Sequence, residues 1–231
     1  MRPRHILVID PAIHTPELDC FNRMAASAPV PLTYHLPALH GMSSIRCDQA
    51  NATGIVVLGS ASSVNDRSAW QIELGNWLVA RMHDGIPTLG LCFGHQLIAQ
   101  LLGAGVEYLF PGRDKLQGFE STQLAASPPW GQARRCLLYA SHREIVTSCP
   151  PAMTVIATRP TMPCDGFAHR ELPIWTFQTH PEATPAFLEN RGIADHGDPA
   201  QFTHGHDIVD GFLRFAAGYA SPSIAPADGR T

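Results

Sequence analysis

Cys92 stands in the segment Gly90-Leu91-Cys92-Phe93-Gly94-His95-Gln96, with a glycine at each second neighbour. Glycines at those positions let a chain turn sharply and keep side chains away from the sulfur, which is how a nucleophile elbow works between a strand and a helix. An apolar run precedes the cysteine and a helical pattern follows it, so both flanks are present. A helix N-terminus adds partial positive charge and free N–H groups, which favour thiolate and can hold a developing oxyanion. Such a thiol needs a base, and the base needs an orienting group. Residues 174–179 run into His180-Pro181-Glu182. Pro181 pushes His180 toward extended geometry, and in an extended chain residues two apart project to the same side, so Glu182 can reach back to the imidazole. A carboxylate on one ring nitrogen fixes the tautomer and turns the other nitrogen toward the thiol. The chemistry expected is nucleophilic attack by Cys92, with His180 moving the proton and Glu182 holding His180. The other five cysteines, Cys20, Cys47, Cys136, Cys149 and Cys164, form no C-x-x-C pair and read as small packing residues in a reducing compartment.

The elements that must carry these groups follow from short apolar runs at 6–10, 54–59, 87–91, 135–140, 153–158 and 173–179, each bounded by turn residues. Continuous apolarity of this kind marks strands buried on both faces, the habit of parallel sheets. Between them lie helical patterns. Trp70, Leu74, Trp77, Leu78 and Met82 share one face of a helix for which Asn65 or Asp66 is the expected N-cap and which ends near Gly85. A second helix opens after Cys92 and carries Leu97, Ile98, Leu101 and Leu102; a last one carries Ile208, Phe212 and Phe215. Alternating strands and helices predict a three-layer α/β fold with a mostly parallel central sheet, helices on both faces, and sites beyond the carboxyl ends of the strands. The second half is richer in strand signals and predicts an antiparallel extension.

The chain has 231 residues, of which 45% are hydrophobic and 16% charged, a balance suited to one domain with a large core. That domain is expected over 1–220, with a Pro, Ala and Ser-rich flexible tail over 221–231. Sixteen Lys and Arg against twenty Asp and Glu give a net charge of -4, and no basic run tracks phosphates, which argues against a nucleic-acid partner. The N-terminal apolar run stops at Asp10, short of a signal-peptide core, and no stretch reaches the roughly 20 apolar residues of a membrane span. A soluble cytoplasmic protein is expected.

Taken together, these segments resemble the class I glutamine amidotransferase family. Gly90, Cys92, Gly94 and Gln96 match its G-x-C-x-G-x-Q elbow, and His180, Pro181 and Glu182 match its late H-P-E. In the same order, residues 54–66 are similar to its oxyanion strand and loop, and residues 141–146 to its S-H-x-D-x-V segment. The similarity runs over about 6–187 and is greatest to stand-alone GMP synthase-like members. The resemblance implies a flavodoxin-like fold and hydrolysis of the glutamine side-chain amide through a glutamyl thioester on Cys92, with His180 protonating departing ammonia and Glu182 holding the imidazole. It implies oxyanion donors at the Phe93 backbone and at Gly59 or Ser60, and seating of glutamine by Gln96, Ser141 and His142. It implies no cofactor and no metal. Ammonia would pass to a synthetase on another polypeptide; the alternatives are a hydrolase of other small gamma-glutamyl amides or peptides, or a non-catalytic binding module. A homo-oligomer is compatible with the sequence. Three positions depart from the family pattern: Leu116 replaces an acidic residue, Glu144 an aspartate and Thr179 a frequent aromatic.

Other features have plainer explanations. Gln96 could cap its helix and His142 could lie on a surface turn. Asp195, His196, Asp198, His204, His206 and Asp207 cluster metal-type ligands without a known spacing and read as a solvated loop. Trp70 and Trp77 read as core or subunit contacts. Ser60, Ser62 and Ser63 follow a strand but lack the glycine elbow of a hydrolase serine.

Overall fold

Every residue of β1 (His5–Ile9) is buried, because alternate positions feed two different cores. Ile6 and Val8 pack on one face of the sheet with Met24, Ile208, Phe212 and Leu213; Leu7 and Ile9 pack on the other with Leu74, Leu78, Phe93 and Ile98. The same division runs through β3 (Ala52–Val57), where Val56 belongs to the first core and Ile55 and Val57 to the second. This is why the strands read as unbroken apolar runs. The first face is covered by α1 (Leu18–Ser27) and α7 (Thr203–Gly218), and the second by α4 (Ala69–His83) and α5 (Phe93–Leu101). Residues 3–193 and 198–219 are described in this computed structural model. The expected tail lies outside them, as do Asp195 and His196.

The remaining elements are β2 (Leu32–His35), α2 (Pro37–His40), α3 (Ser43–Asp48), β4 (Thr88–Leu91), β5 (Val106–Tyr108), β6 (Leu116–Leu124), β7 (Arg134–His142), β8 (Glu144–Val146), β9 (Met153–Arg159), β10 (Met162–His169), β11 (Ile174–Phe177) and α6 (Pro185–Glu189). The nine-stranded sheet runs β2-β1-β3-β4-β11-β10-β9-β6-β7, with β5 and β8 paired separately. Strands β2, β1, β3, β4 and β11 are parallel. The pairs β11–β10, β10–β9, β9–β6 and β6–β7 are antiparallel, the extension expected from the second half.

One helix start differs from the expectation. Neither Asn65 nor Asp66 caps α4; both sit in a short 3-10 turn capped by Ser63. Arg67 then takes a left-handed conformation at φ 50°, which breaks the helical path, and Ser68 becomes the cap, its N–H donating to Gln71 Oε1 at 2.8 Å. Cys47 also differs from its expected packing role, since it is exposed.

Candidate active site

The turn after β4 is as tight as the glycine spacing requires. Cys92 sits at φ 50°, ψ -98°, a backbone state that costs an L-residue roughly 1–3 kcal/mol and persists only where surroundings enforce it. A Cβ on Gly90 would lie 2.7 Å from the Gly94 carbonyl oxygen, and one on Gly94 would lie 2.4 Å from that of Val57. Larger residues would therefore push the helix off the sheet. The Cys92 N–H donates to the Phe177 carbonyl at 2.8 Å, which ties the elbow to β11. The Gly94 N–H is taken by Leu58 O, whereas the Phe93 N–H opens the helix, where no intrahelical acceptor exists.

Parallel pairing of β4 with β11 places Leu91 beside Phe177, so the chain leaves both strands at the same level. His180 follows three residues later. Its backbone N–H donates to Tyr139 O at 2.7 Å, and its Nδ1 lies 2.9 Å from Glu182 Oε1, with the imidazole 3% exposed and the carboxylate fully buried. Burial opposes charge on His180, but the charge and hydrogen bond of Cys92, together with those of Glu182, outweigh it and push the imidazole up to about 10. Gly59 lies against both partners: a Cβ there would meet His180 Cε1 at 2.7 Å and Cys92 Cβ at 3.6 Å. Only a glycine lets the end of β3 approach this closely. Ser60 is beside it, its hydroxyl donating to Pro11 O at 2.7 Å. Ser62 and Ser63 likewise fasten the loop, to Asp66 and to Glu144.

The three residues expected to seat substrate fare differently. Gln96 does not cap α5; it lies within the helix, 4% exposed, with Nε2 donating to Glu144 O at 2.8 Å and to Gln178 Oε1 at 3.2 Å. Ser141 brings its carbonyl within 4.0 Å of Cys92 Sγ, and its hydroxyl is buried without a partner. His142 is no surface residue but 4% exposed in β7, with Nδ1 3.2 Å from Glu144 O and Nε2 3.3 Å from Arg159 Nη2. Since a carbonyl can only accept, Nδ1 carries the proton and Nε2 accepts from Arg159. Burial first, and the Arg159 charge second, lower His142 to about 3. Arg159 in turn pairs with Asp165 at 2.7 Å, both fully buried. Of the departures, Leu116 pairs with His142 across β6 and β7, Glu144 holds Ser63 and Gln96, and Thr179 is fully buried with an unpartnered hydroxyl.

Sequence patterns did not disclose two contributors. Gln178 Nε2 lies 3.9 Å from Cys92 Sγ. The alternation that relates His180 to Glu182 also relates Gln178 to His180, so a signal was present. Glu17 and Arg191 form an ion pair that lines, with Gly59, Ser60, Lys115 and Phe187, a cavity of about 250 Å³ beside the elbow. Burial raises Glu17 to about 7, against the opposing pull of Arg191 and with a further push from Glu182. No local pattern links positions so far apart in the chain.

Among the described residues, no group of three or more His, Cys, Asp or Glu is placed to hold a metal ion. His204 accepts from the Leu137 N–H and His206 bonds Ala183 O, so both fasten α7 to its neighbours. Trp70 stacks on Phe93 at 5.7 Å, and Trp77 donates to Gln49 Oε1 at 2.9 Å. No helix among the described residues is long and apolar enough to cross a membrane.

Comparison with known proteins identifies the family and the fold. Residues 26–196 match the family described as glutamine amidotransferase class-I, and the chain belongs to that family. It is 29% identical over 168 residues to a glutamine-hydrolyzing GMP synthase subunit from Pyrococcus abyssi, covering 71% of this chain and 76% of that one. It is 33% identical over 132 residues to the glutamine-hydrolyzing GMP synthase of Thermosynechococcus vestitus, covering 56% of this chain but only 23% of the longer relative. In fold it is similar to a glutamine amidotransferase from Methylobacillus flagellatus, with a TM-score of 0.73 at 17% identity over 96% of this chain and 97% of that one. A glutamine amidotransferase from Thermotoga maritima superposes with a TM-score of 0.66 at 18% identity, over 92% and 96%.

Proposed function

We propose that this protein is a glutamine amidohydrolase working through Cys92, His180 and Glu182. The observation that carries the proposal is the strained elbow of Cys92 beside an imidazole whose Nδ1 is held by a buried carboxylate. Cys92 attacks the side-chain carbonyl carbon of glutamine. The oxyanion that forms is held by the Phe93 N–H and by one N–H from Gly59 or Ser60. As the tetrahedral species collapses, His180 gives its proton to the departing nitrogen, and ammonia leaves a glutamyl thioester. Water then attacks the thioester, His180 takes the proton, and glutamate is released with the thiol restored. Glu182 keeps the imidazole in one tautomer throughout. Gln96 and His142, whose N–H groups are spent on neighbours, shape the glutamine seat, and Ser141 offers its free hydroxyl.

The relative from Pyrococcus abyssi is named as a subunit, which supports a synthetase on a separate chain as ammonia acceptor. All six cysteines are free, which suits a reducing cytoplasm. A second reading draws on the cavity of about 250 Å³ beside Gly59, far more room than the roughly 30 Å³ a small molecule such as water occupies. That room suits a larger amine leaving group, hence other gamma-glutamyl amides.

Labelling with a diazo-ketone analogue of glutamine, followed by mass mapping, tests the proposal. The adduct is expected on Cys92; no adduct, under conditions that label another amidotransferase, would favour a binding module. Turnover of glutamine beside gamma-glutamyl alkylamides separates the two substrate readings by their kcat/KM.

A further inference from the structure

A continuous line of contacts runs from the rim of the parallel sheet to the ring of His180. The imidazole lies 4.9 Å, centroid to centroid, from the ring of Phe187 on α6. The guanidinium carbon of Arg191 lies 3.4 Å from the centroid of that same phenyl ring, and its Nη1 donates to the Phe187 carbonyl at 3.2 Å. Nη2 of Arg191 is paired with Glu17, whose side chain is 8% exposed. Glu17 is itself fixed, because its backbone N–H donates to Asp10 Oδ2 at 2.7 Å, and Asp10 also accepts from the Ala12 N–H and the Tyr34 hydroxyl. Phe187 is tied at its own N–H to Thr184 Oγ1 at 3.2 Å.

The arrangement does more than fill space. A guanidinium over an aromatic ring is held by attraction to the ring face, and an ion pair fixes its direction. Phe187 thus touches both the imidazole and a cation anchored through Glu17 on Asp10, just past β1. The hydrogen bond to Glu182 fixes one end of the imidazole but leaves it free to tilt about that bond; a fixed phenyl ring removes the freedom. Catalysis is sensitive to this, since a misplacement of about 1 Å can cost roughly a hundredfold in rate.

We propose that Glu17 and Arg191 are positioning residues for His180, acting through Phe187 to hold the imidazole opposite Cys92. The inference rests on the reading above in which His180 moves the proton. The charged and titratable groups facing His180 are Cys92 from the elbow, Glu182 from its own segment, His142 from β7 and Glu17 from the loop before α1. An imidazole that drifts from Cys92 and Glu182 loses the groups that keep it protonated, so its proton leaves at lower pH.

The test uses the full chain and four variants: Arg191→Ala, Arg191→Lys, Phe187→Leu and the double Arg191→Ala/Phe187→Leu. Measured are kcat and KM for glutamine across pH, the rate of Cys92 alkylation by iodoacetamide at pH 7, and the melting temperature. For Arg191→Ala, kcat is expected to fall roughly 10- to 100-fold with KM within about twofold, and the alkaline limb of the kcat profile to move to lower pH. The double variant should be no worse than the worse single one, as coupled residues require. Arg191→Lys keeps the pair with Glu17 but has no flat face for Phe187; it should lie between Arg191→Ala and the parent, and it serves as the readout if Arg191→Ala does not fold. A lower melting temperature with kcat and its pH limb unchanged would overturn the proposal in favour of a purely structural role. A raised KM with kcat kept would overturn it in favour of a ligand contact in the cavity. If the parent does not turn over glutamine yet alkylation slows roughly tenfold in Arg191→Ala, the substrate assignment fails while the positioning role stands.

Discussion

His180 at the rim of the parallel strands and His142 at the end of the antiparallel ones are 3% and 4% exposed, yet they are driven in opposite directions. Burial disfavours charge on both. At His180 a thiol and a carboxylate reverse that tendency, and the ring is pushed up to about 10. At His142 an arginine reinforces it, and the ring falls to about 3. Neighbours, not depth, decide which histidine can hold a mobile proton. The contrast extends to the two halves of the sheet. The parallel half carries β1, β4 and β11 buried throughout beside a half-buried edge strand, β2, and presents Cys92 and His180 on its carboxyl edge. The antiparallel half supplies a buried polar framework in which Asp165, Arg159 and His142 hold one another, His142 bonding on to Glu144 of β8, and support the wall of the site.

This division can be broken at either half. Cys92→Ser should lower glutamine turnover by roughly 10⁴-fold or more, by analogy with nucleophile removal in other hydrolases. Its denaturant midpoint should stay close to that of the parent, because no packing is lost. Asp165→Ala should act in the reverse way: Arg159 would be left buried and unpaired, at a cost of about 3–5 kcal/mol in urea unfolding. Loss of activity without loss of stability in Asp165→Ala would contradict the structural role assigned to that half.

The pH dependence sharpens the same contrast. His95, buried against Thr176 and Phe167, is lowered to about 3 by burial, as His142 is by burial and Arg159. A folded value below the unfolded 6.5 means that the unfolded chain binds the extra proton, so stability falls as pH drops from about 6.5 toward 3. The expected slope is about 1.4 kcal/mol per pH unit for each neutral histidine, and His95→Phe should remove one such share in unfolding at pH 4, 5 and 6. For His180 the sign is opposite: its contribution is complete below 6.5 and is lost as pH rises toward 10, so His180→Ala should flatten the alkaline side of the stability curve. The smallest effect belongs to Trp77→Phe, which deletes one hydrogen bond to Gln49 and should cost about 1 kcal/mol.

The chemistry of the site was legible where it is written locally. Glycines at 90 and 94 disclose the elbow because the steric demand acts within one turn, and the 180–182 spacing discloses the contact of His180 with Glu182 because strand geometry is local too. Gln178 obeyed the same alternation. His142 was less legible: its partner Arg159 comes from β9, which no pattern within residues 141–146 expresses. Glu17 and Arg191 lay beyond reach, since their pairing joins two ends of the chain. For the fold, runs buried on both faces identified β1, β3, β4 and β11. Strand β6 alternates polar and apolar residues irregularly and is marked by no apolar run, and α1 to α3 carry short or mixed patterns. The start of α4 was displaced by one left-handed residue, Arg67, that composition does not mark.

Because β11 enters the sheet directly beside β4, the segment from 92 to 173 must close on itself as one long loop before the imidazole can meet the thiol. Long excursions of this kind close slowly. A refolding chain can therefore pair β1 through β4 and still lack an imidazole beside the thiol, so that recovered turnover would time the joining of β11 to β4 and not the first collapse.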